Sequence, residues 1–224
     1  MLLLMTTLTI MASAPPAGDA SFSYVALGDS LGAGMGARRG YVERLYQRLG
    51  TERAGVALHN LSSSGATTTD VLRAQLPRVE RLRPGLVTLT VGTNDLTDGA
   101  PVEQVMRNLG KIVHDLHATG AVVVVTNLPA VALAPAVPEA WRAELDARVR
   151  SANRALQAVC DENGARVFDL YALSRAEIPR HPEYFSFDGY HPSDDGYDRW
   201  ATTMWPLVKD ALAGHQDFRG RPRP

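Results

Sequence analysis

Residues 24–32 read Tyr24-Val25-Ala26-Leu27-Gly28-Asp29-Ser30-Leu31-Gly32. Four largely apolar residues run without a charged break and then give way to a glycine-flanked turn. A short, continuous apolar run of this kind predicts a strand covered on both faces, as in a parallel sheet. The same signature, rich in Val and Leu, recurs at residues 56–61, 86–91, 122–126 and 166–170.

Helical patterns fall between these runs. Tyr41, Leu45 and Leu49 recur every four residues. Val102, Val105, Met106, Leu109, Ile112, Val113 and Leu116 form an apolar stripe that Gly120 ends. Residues 139–163 predict the longest helix, closed by Asn163-Gly164. A last helix is expected over about residues 193–212, with Ser193 as its N-cap and Asp194 and Asp195 in its first turn. This alternation implies a three-layer α/β/α sandwich around a five-stranded parallel sheet. The chain then divides into a leader (1–20), a single domain (21–214) and a short tail (215–224), with no internal repeat. The Ala/Pro-rich residues 130–138 read as an irregular loop.

In open parallel sheets, ligands bind outside the carboxyl ends of the strands. Ser30 follows the first strand, Gly65 the second and Asn94 the third, so all three are expected at one edge. Asp188 and His191 lie after the fifth strand, in a segment able to fold back over that edge. Residues spread over more than 160 positions thus meet the geometric condition for one site.

The chemistry of these residue types is complementary. A serine hydroxyl is a weak nucleophile until a base takes its proton. His191 is the candidate base, and Asp188, three residues earlier, can fix its tautomer and stabilise the imidazolium. Gly65 and Asn94 are candidate oxyanion donors, through a backbone amide and a side-chain amide, with the Ser30 amide as a third. Taken singly, each has a plainer reading: a turn serine, a loop glycine, an ordinary Asn-Asp turn, a pair of helix-capping residues. The surroundings of Ser30 are not the Gly-x-Ser-x-Gly elbow of α/β-hydrolases.

The four blocks together resemble the SGNH hydrolases, also called GDSL-type esterases and lipases. Gly28-Asp29-Ser30-Leu31 is similar to the nucleophile block, Gly65 to the glycine block, Gly92-x-Asn94-Asp95 to the asparagine block and Asp188-x-x-His191 to the final acid–base block. The likeness covers roughly residues 24–212. It implies a flavodoxin-like sandwich and hydrolysis of carboxylic esters without a metal or cofactor. The resemblance spans esterases, lysophospholipases, thioesterases and carbohydrate deacetylases; an open site without a long lid favours short acyl chains.

Composition narrows the partners. The chain of 224 residues has a formal net charge of −1, with Lys and Arg scattered. That argues against a nucleic-acid or anionic-membrane surface and leaves a small-molecule ester as the expected partner. The basic end at residues 219–223 reads as a frayed terminus. One cysteine, Cys160, excludes an internal disulfide framework and reads as a buried thiol. His114 and His117 read as a polar helix face rather than a metal pair. The glycines at 32, 34 and 36 lack phosphate-loop spacing.

Residues 1–14 are apolar apart from Thr and Ser and end in Ala12-Ser13-Ala14, which reads as a secretory signal without basic residues. A leader on a cytoplasmic protein is the alternative. The stretch is too short to span a bilayer. Nothing in the sequence sets the oligomeric state. Two other functional classes account for fewer of these residues. One is a metal-dependent phosphoesterase using Asp29, Asp95, Asp188 and His191 as ligands; the other is a non-catalytic binding relative. His181, Tyr184, Phe185 and Phe187 are placed to line a pocket or to pack under a loop, and Trp200 and Trp205 read as core or partly buried.

Overall fold

The computed structural model describes residues 22–215. The expected leader, and all of the expected tail but His215, lie outside the described residues. The chain runs through β1 (Phe22–Gly28), α1 (Ser30–Ala33), α2 (Tyr41–Glu52), β2 (Val56–Asn60) and a single turn α3 (Thr68–Asp70) that widens into a π-turn over Val71–Gln75. It continues through β3 (Pro84–Thr90), α4 (Thr93–Thr97), α5 (Val102–Ala118), β4 (Val122–Thr126), α6 (Glu139–Glu162), β5 (Arg166–Phe168), α7 (Leu170–Glu177) and α8 (Asp194–Ala213).

The five strands form one sheet in the order β2-β1-β3-β4-β5, every pairing parallel. Strand alternation sends Val25 and Leu27 of β1 to one face and Tyr24 and Ala26 to the other. The first pair joins a core with Leu109, Ile112, Val113 and Leu116 of α5 and Val149, Leu156 and Cys160 of α6. The second joins a core with Tyr41, Leu45 and Leu49 of α2 and Trp200, Met204 and Val208 of α8. Each such side chain, fully buried, contributes roughly 1.5–3 kcal/mol relative to exposure. The result is a three-layer α/β/α sandwich clamped from both sides.

The structure departs from the expected pattern in three places. β2 sits at the sheet edge, and all five of its residues are only half-buried. β5 stops at Phe168 because Asp169 turns its carboxylate onto the Ala172 amide and caps α7, which the apolar run at 166–170 concealed. Tyr171 therefore belongs to α7, where its hydroxyl donates to Asp146 at 2.8 Å.

The strand order reverses direction at β1. From β1 the chain steps outward to β2, then back across to β3 on the other side. The ends of β1 and β3 thus flank the switch point, where open α/β sheets place ligands.

Candidate active site

β1 ends at Gly28, where φ is +149° and a Cβ would fall 2.1 Å from the Thr90 carbonyl oxygen, leaving no room for a side chain. The backbone turns there into α1, with Asp29 as N-cap accepting from the Leu31 amide. Ser30 is the first residue of that short helix, so its own amide has no helical partner. It is buried and lines the floor of a cavity.

From that floor a chain of hydrogen bonds runs outward. Ser30 Oγ lies 2.9 Å from His191 Nε2, and His191 Nδ1 lies 2.7 Å from Asp188 Oδ2. An ionised carboxylate only accepts, so Nδ1 carries the ring proton and Nε2 is left to accept from the serine hydroxyl. Asp188 is itself fixed: its Oδ1 accepts from the Ser186 hydroxyl at 2.8 Å and from the Tyr190 and His191 amides at 2.8 and 2.9 Å. Burial works against its charge, but the His191 ring and these other donors hold the carboxyl well below the ordinary carboxylate range.

Asn94, in the first turn of α4, lines the same cavity as Ser30. One hydrogen of its side-chain amide goes to the Ala66 carbonyl at 2.9 Å, which leaves the second available. Gly65, with φ +79°, does not line the cavity but adjoins that anchored carbonyl. The two loops are further joined by Asp95, which accepts from the Thr68 amide and hydroxyl at 2.9 and 2.6 Å.

Gln75 and Ser186 escaped the sequence analysis. In the π-turn, buried Gln75 aims its amide at the Gly28 backbone, accepting from the Gly28 amide and donating to its carbonyl, both at 2.8 Å. It thereby replaces a neighbouring strand where β2 has already ended, one residue pair before Ser30. π-turns often sit at functional sites. Asn153 does the same for Leu128, pairing its amide and carbonyl at 2.9 Å each.

The cavity beside Ser30 has a volume of about 90 Å³ and mostly apolar walls, among them Leu31, Ala130, Leu170, Leu173, Ile178 and Trp200. The loop at residues 129–134 is held against α7 by the Ala130 amide donating to Ser174 Oγ at 2.9 Å. Tyr184 and Phe185 reach this wall, whereas Phe187 is fully exposed.

Asp29 also borders the cavity. Burial, partly offset by the Leu31 amide and reinforced by the charge of Asp95, pushes its carboxyl up to about 7. A value raised above that of the unfolded chain makes the neutral form the favoured one. Its contribution to stability is complete below about pH 4 and is lost as pH rises through about 7. Asp29→Asn keeps an acceptor for Leu31 without the charge. Its Tm should match wild type at pH 4 and exceed it by on the order of 5 °C at pH 8. A difference independent of pH contradicts the assignment.

The four carboxylate and imidazole groups that a phosphoesterase reading needs are spoken for differently. Asp95 faces Thr68 with both oxygens, while Asp188 faces His191 and its own turn. Among the described residues no three His, Cys, Asp or Glu side chains gather in a metal-holding group.

Comparison with known proteins bears on the same strand-end blocks. The model of the GDSL-like lipase/acylhydrolase family matches residues 26–199. The chain belongs to that family. It is thus of the carboxylic ester hydrolases by descent. Esterase TesA of Pseudomonas aeruginosa is 26% identical over 196 residues, covering 86% of this chain and 90% of its own. A GDSL-like esterase of Mycobacterium tuberculosis is 30% identical over 136 residues, 60% of this chain; the match spans only 43% of that longer protein. A crystal structure of TesA superposes with a TM-score of 0.71 at 25% identity, covering 85% of this chain and 99% of that one.

Proposed function

We propose that this protein hydrolyses short-chain acyl esters through an acyl-enzyme on Ser30, with His191 as general base and acid and Asp188 as its orienting partner. The observation that carries the reading is the continuous hydrogen-bond chain Ser30–His191–Asp188, at 2.9 and 2.7 Å, whose serine lines an apolar cavity.

In this mechanism His191 Nε2 takes the hydroxyl proton as Ser30 Oγ attacks the ester carbonyl. Asp188 stabilises the imidazolium that forms. The carbonyl oxygen becomes an oxyanion, held by the Ser30 amide, the free hydrogen of the Asn94 side chain and the Gly65 amide. The tetrahedral species collapses as His191 returns the proton to the leaving alcohol, giving the acyl-enzyme. Water, deprotonated by His191, then attacks the acyl carbonyl; Ser30 leaves with the proton and the acid is released.

The acyl chain occupies the apolar cavity. Its volume of about 90 Å³ is well below the roughly 300 Å³ at which drug-sized pockets begin, which favours short chains over long ones. TesA and the mycobacterial relative are both named as esterases, in keeping with this assignment.

A panel of p-nitrophenyl acetate, butyrate, octanoate, palmitate and phosphate, each with and without EDTA, tests the reading. The expected profile is cleavage of the acyl esters regardless of EDTA, fastest at acetate or butyrate and at least about tenfold slower at palmitate. Cleavage of the phosphate alone, abolished by EDTA, would replace this reading with the phosphoesterase one.

A further inference from the structure

Tyr190 borders two depressions. One is the cavity at Ser30; the other is a wider groove of about 500 Å³ whose walls include Leu96, Val137, Pro138, Trp141 and Leu145. The Ala136 amide donates to the Gly189 carbonyl at 3.0 Å, so the loop forming one wall is fastened to the Asp188–His191 segment. The groove therefore adjoins the site across Tyr190.

Trp141 stands on the first turn of α6 and is 66% exposed. A large indole left in water on a helix start adds little to the core, and it stands beside an apolar groove. The groove walls are mostly apolar; of the polar groups on them, Arg148 already donates to the Ala100 carbonyl at 2.9 Å and Glu144 is exposed.

Reaction geometry then decides what enters. The acyl carbon bonds to Ser30, and its chain takes the cavity that Ser30 lines. The leaving oxygen must lie against His191 Nε2 to be protonated. The Tyr190 ring meets the His191 ring edge-on at 5.2 Å, which sets the groove that Tyr190 walls beside the base.

We infer that this groove binds the alcohol portion of the ester, with Trp141 as its aromatic platform, and that it takes a long apolar alcohol, alkyl or aryl, rather than a small alcohol or a sugar. This rests on the ester-hydrolase reading above.

The test uses ethyl, butyl, hexyl and octyl butyrate, which share one acyl group and leaving groups of nearly equal acidity, followed by acid release. In wild type, kcat/KM should rise at least about tenfold from ethyl to hexyl, the low end of what even one methylene is worth in an apolar pocket. Trp141→Ala should flatten that rise, mainly through KM, with the largest loss at hexyl and octyl butyrate and the smallest at ethyl butyrate; Trp141→Phe should retain most of it. Ratios among ethyl acetate, butyrate and hexanoate should be the same in wild type and Trp141→Ala.

A flat alcohol profile in wild type, an equal loss on every ester, or a changed acyl ratio overturns the inference. So does a Trp141→Ala loss confined to acetylated sugars. If cleavage of the butyrates depends on Ser30 but not on alcohol length, only the groove assignment falls. If no butyrate is cleaved, or Ser30→Ala cleaves them equally, the ester-hydrolase reading falls with it.

Discussion

Ser30→Ala is expected to lower kcat/KM for p-nitrophenyl butyrate by about 10⁶-fold, the loss met when a protease loses its serine nucleophile. The reasoning is local. The change removes one oxygen at the cavity floor and leaves the Gly28 turn, the Asp29 cap and the Gln75 pairing intact. His191 loses a hydrogen-bond partner on the cavity side only, so stability should change by no more than about 1 kcal/mol. A folded variant with the wild-type Tm that still turns over within tenfold of wild type contradicts the nucleophile assignment.

Asp188→Asn is the second large effect, about 10⁴-fold in kcat. The Asn oxygen can still accept from Ser186 and the two amides that Oδ1 now serves. In place of Oδ2, however, an NH₂ group faces His191 Nδ1. Two donors cannot pair, so Nδ1 becomes the acceptor and the ring proton moves to Nε2, against Ser30. The imidazole then holds a proton where it must receive one. The loss should fall on kcat rather than KM, since no contact with the acyl cavity is touched. Undiminished kcat in a folded variant removes Asp188 from the mechanism.

Much of the architecture was legible because it rests on local patterns. The unbroken apolar runs of β1, β3 and β4 identify central strands of a parallel sheet, and the four-residue spacing of Tyr41, Leu45 and Leu49 identifies the face of α2 that packs against it. The candidate site was legible for a related reason: a parallel sheet carries whatever follows its strands to one edge, so Ser30 and Asn94 had to be neighbours. α7 was hidden because Leu170-Tyr171-Ala172-Leu173 continues the apolar run of β5, and a short buried run has no period that separates helix from strand. Only the Asp169 cap breaks it.

Gln75 was illegible on different grounds. Its partner lies 47 positions away, and a lone glutamine in a helical segment reads as a solvated residue until the π-turn is seen to rotate it inward. Ser186 is locally placed, two residues from Asp188, yet a serine before an aspartate carries no signal without the turn that joins them. The two depressions were beyond sequence reading altogether, since each draws its walls from several separate segments of chain.

The central claim is that Ser30 becomes covalently acylated under the control of His191 and Asp188. Its most direct test is intact-mass spectrometry with peptide mapping after brief exposure to diethyl p-nitrophenyl phosphate, a slow-turnover mimic of the acyl donor. The account predicts one diethylphosphoryl adduct per chain, on Ser30, absent from Ser30→Ala and formed far more slowly in Asp188→Asn. An adduct mapped to another residue, or a wild-type protein that turns over esters yet takes no label, would contradict it.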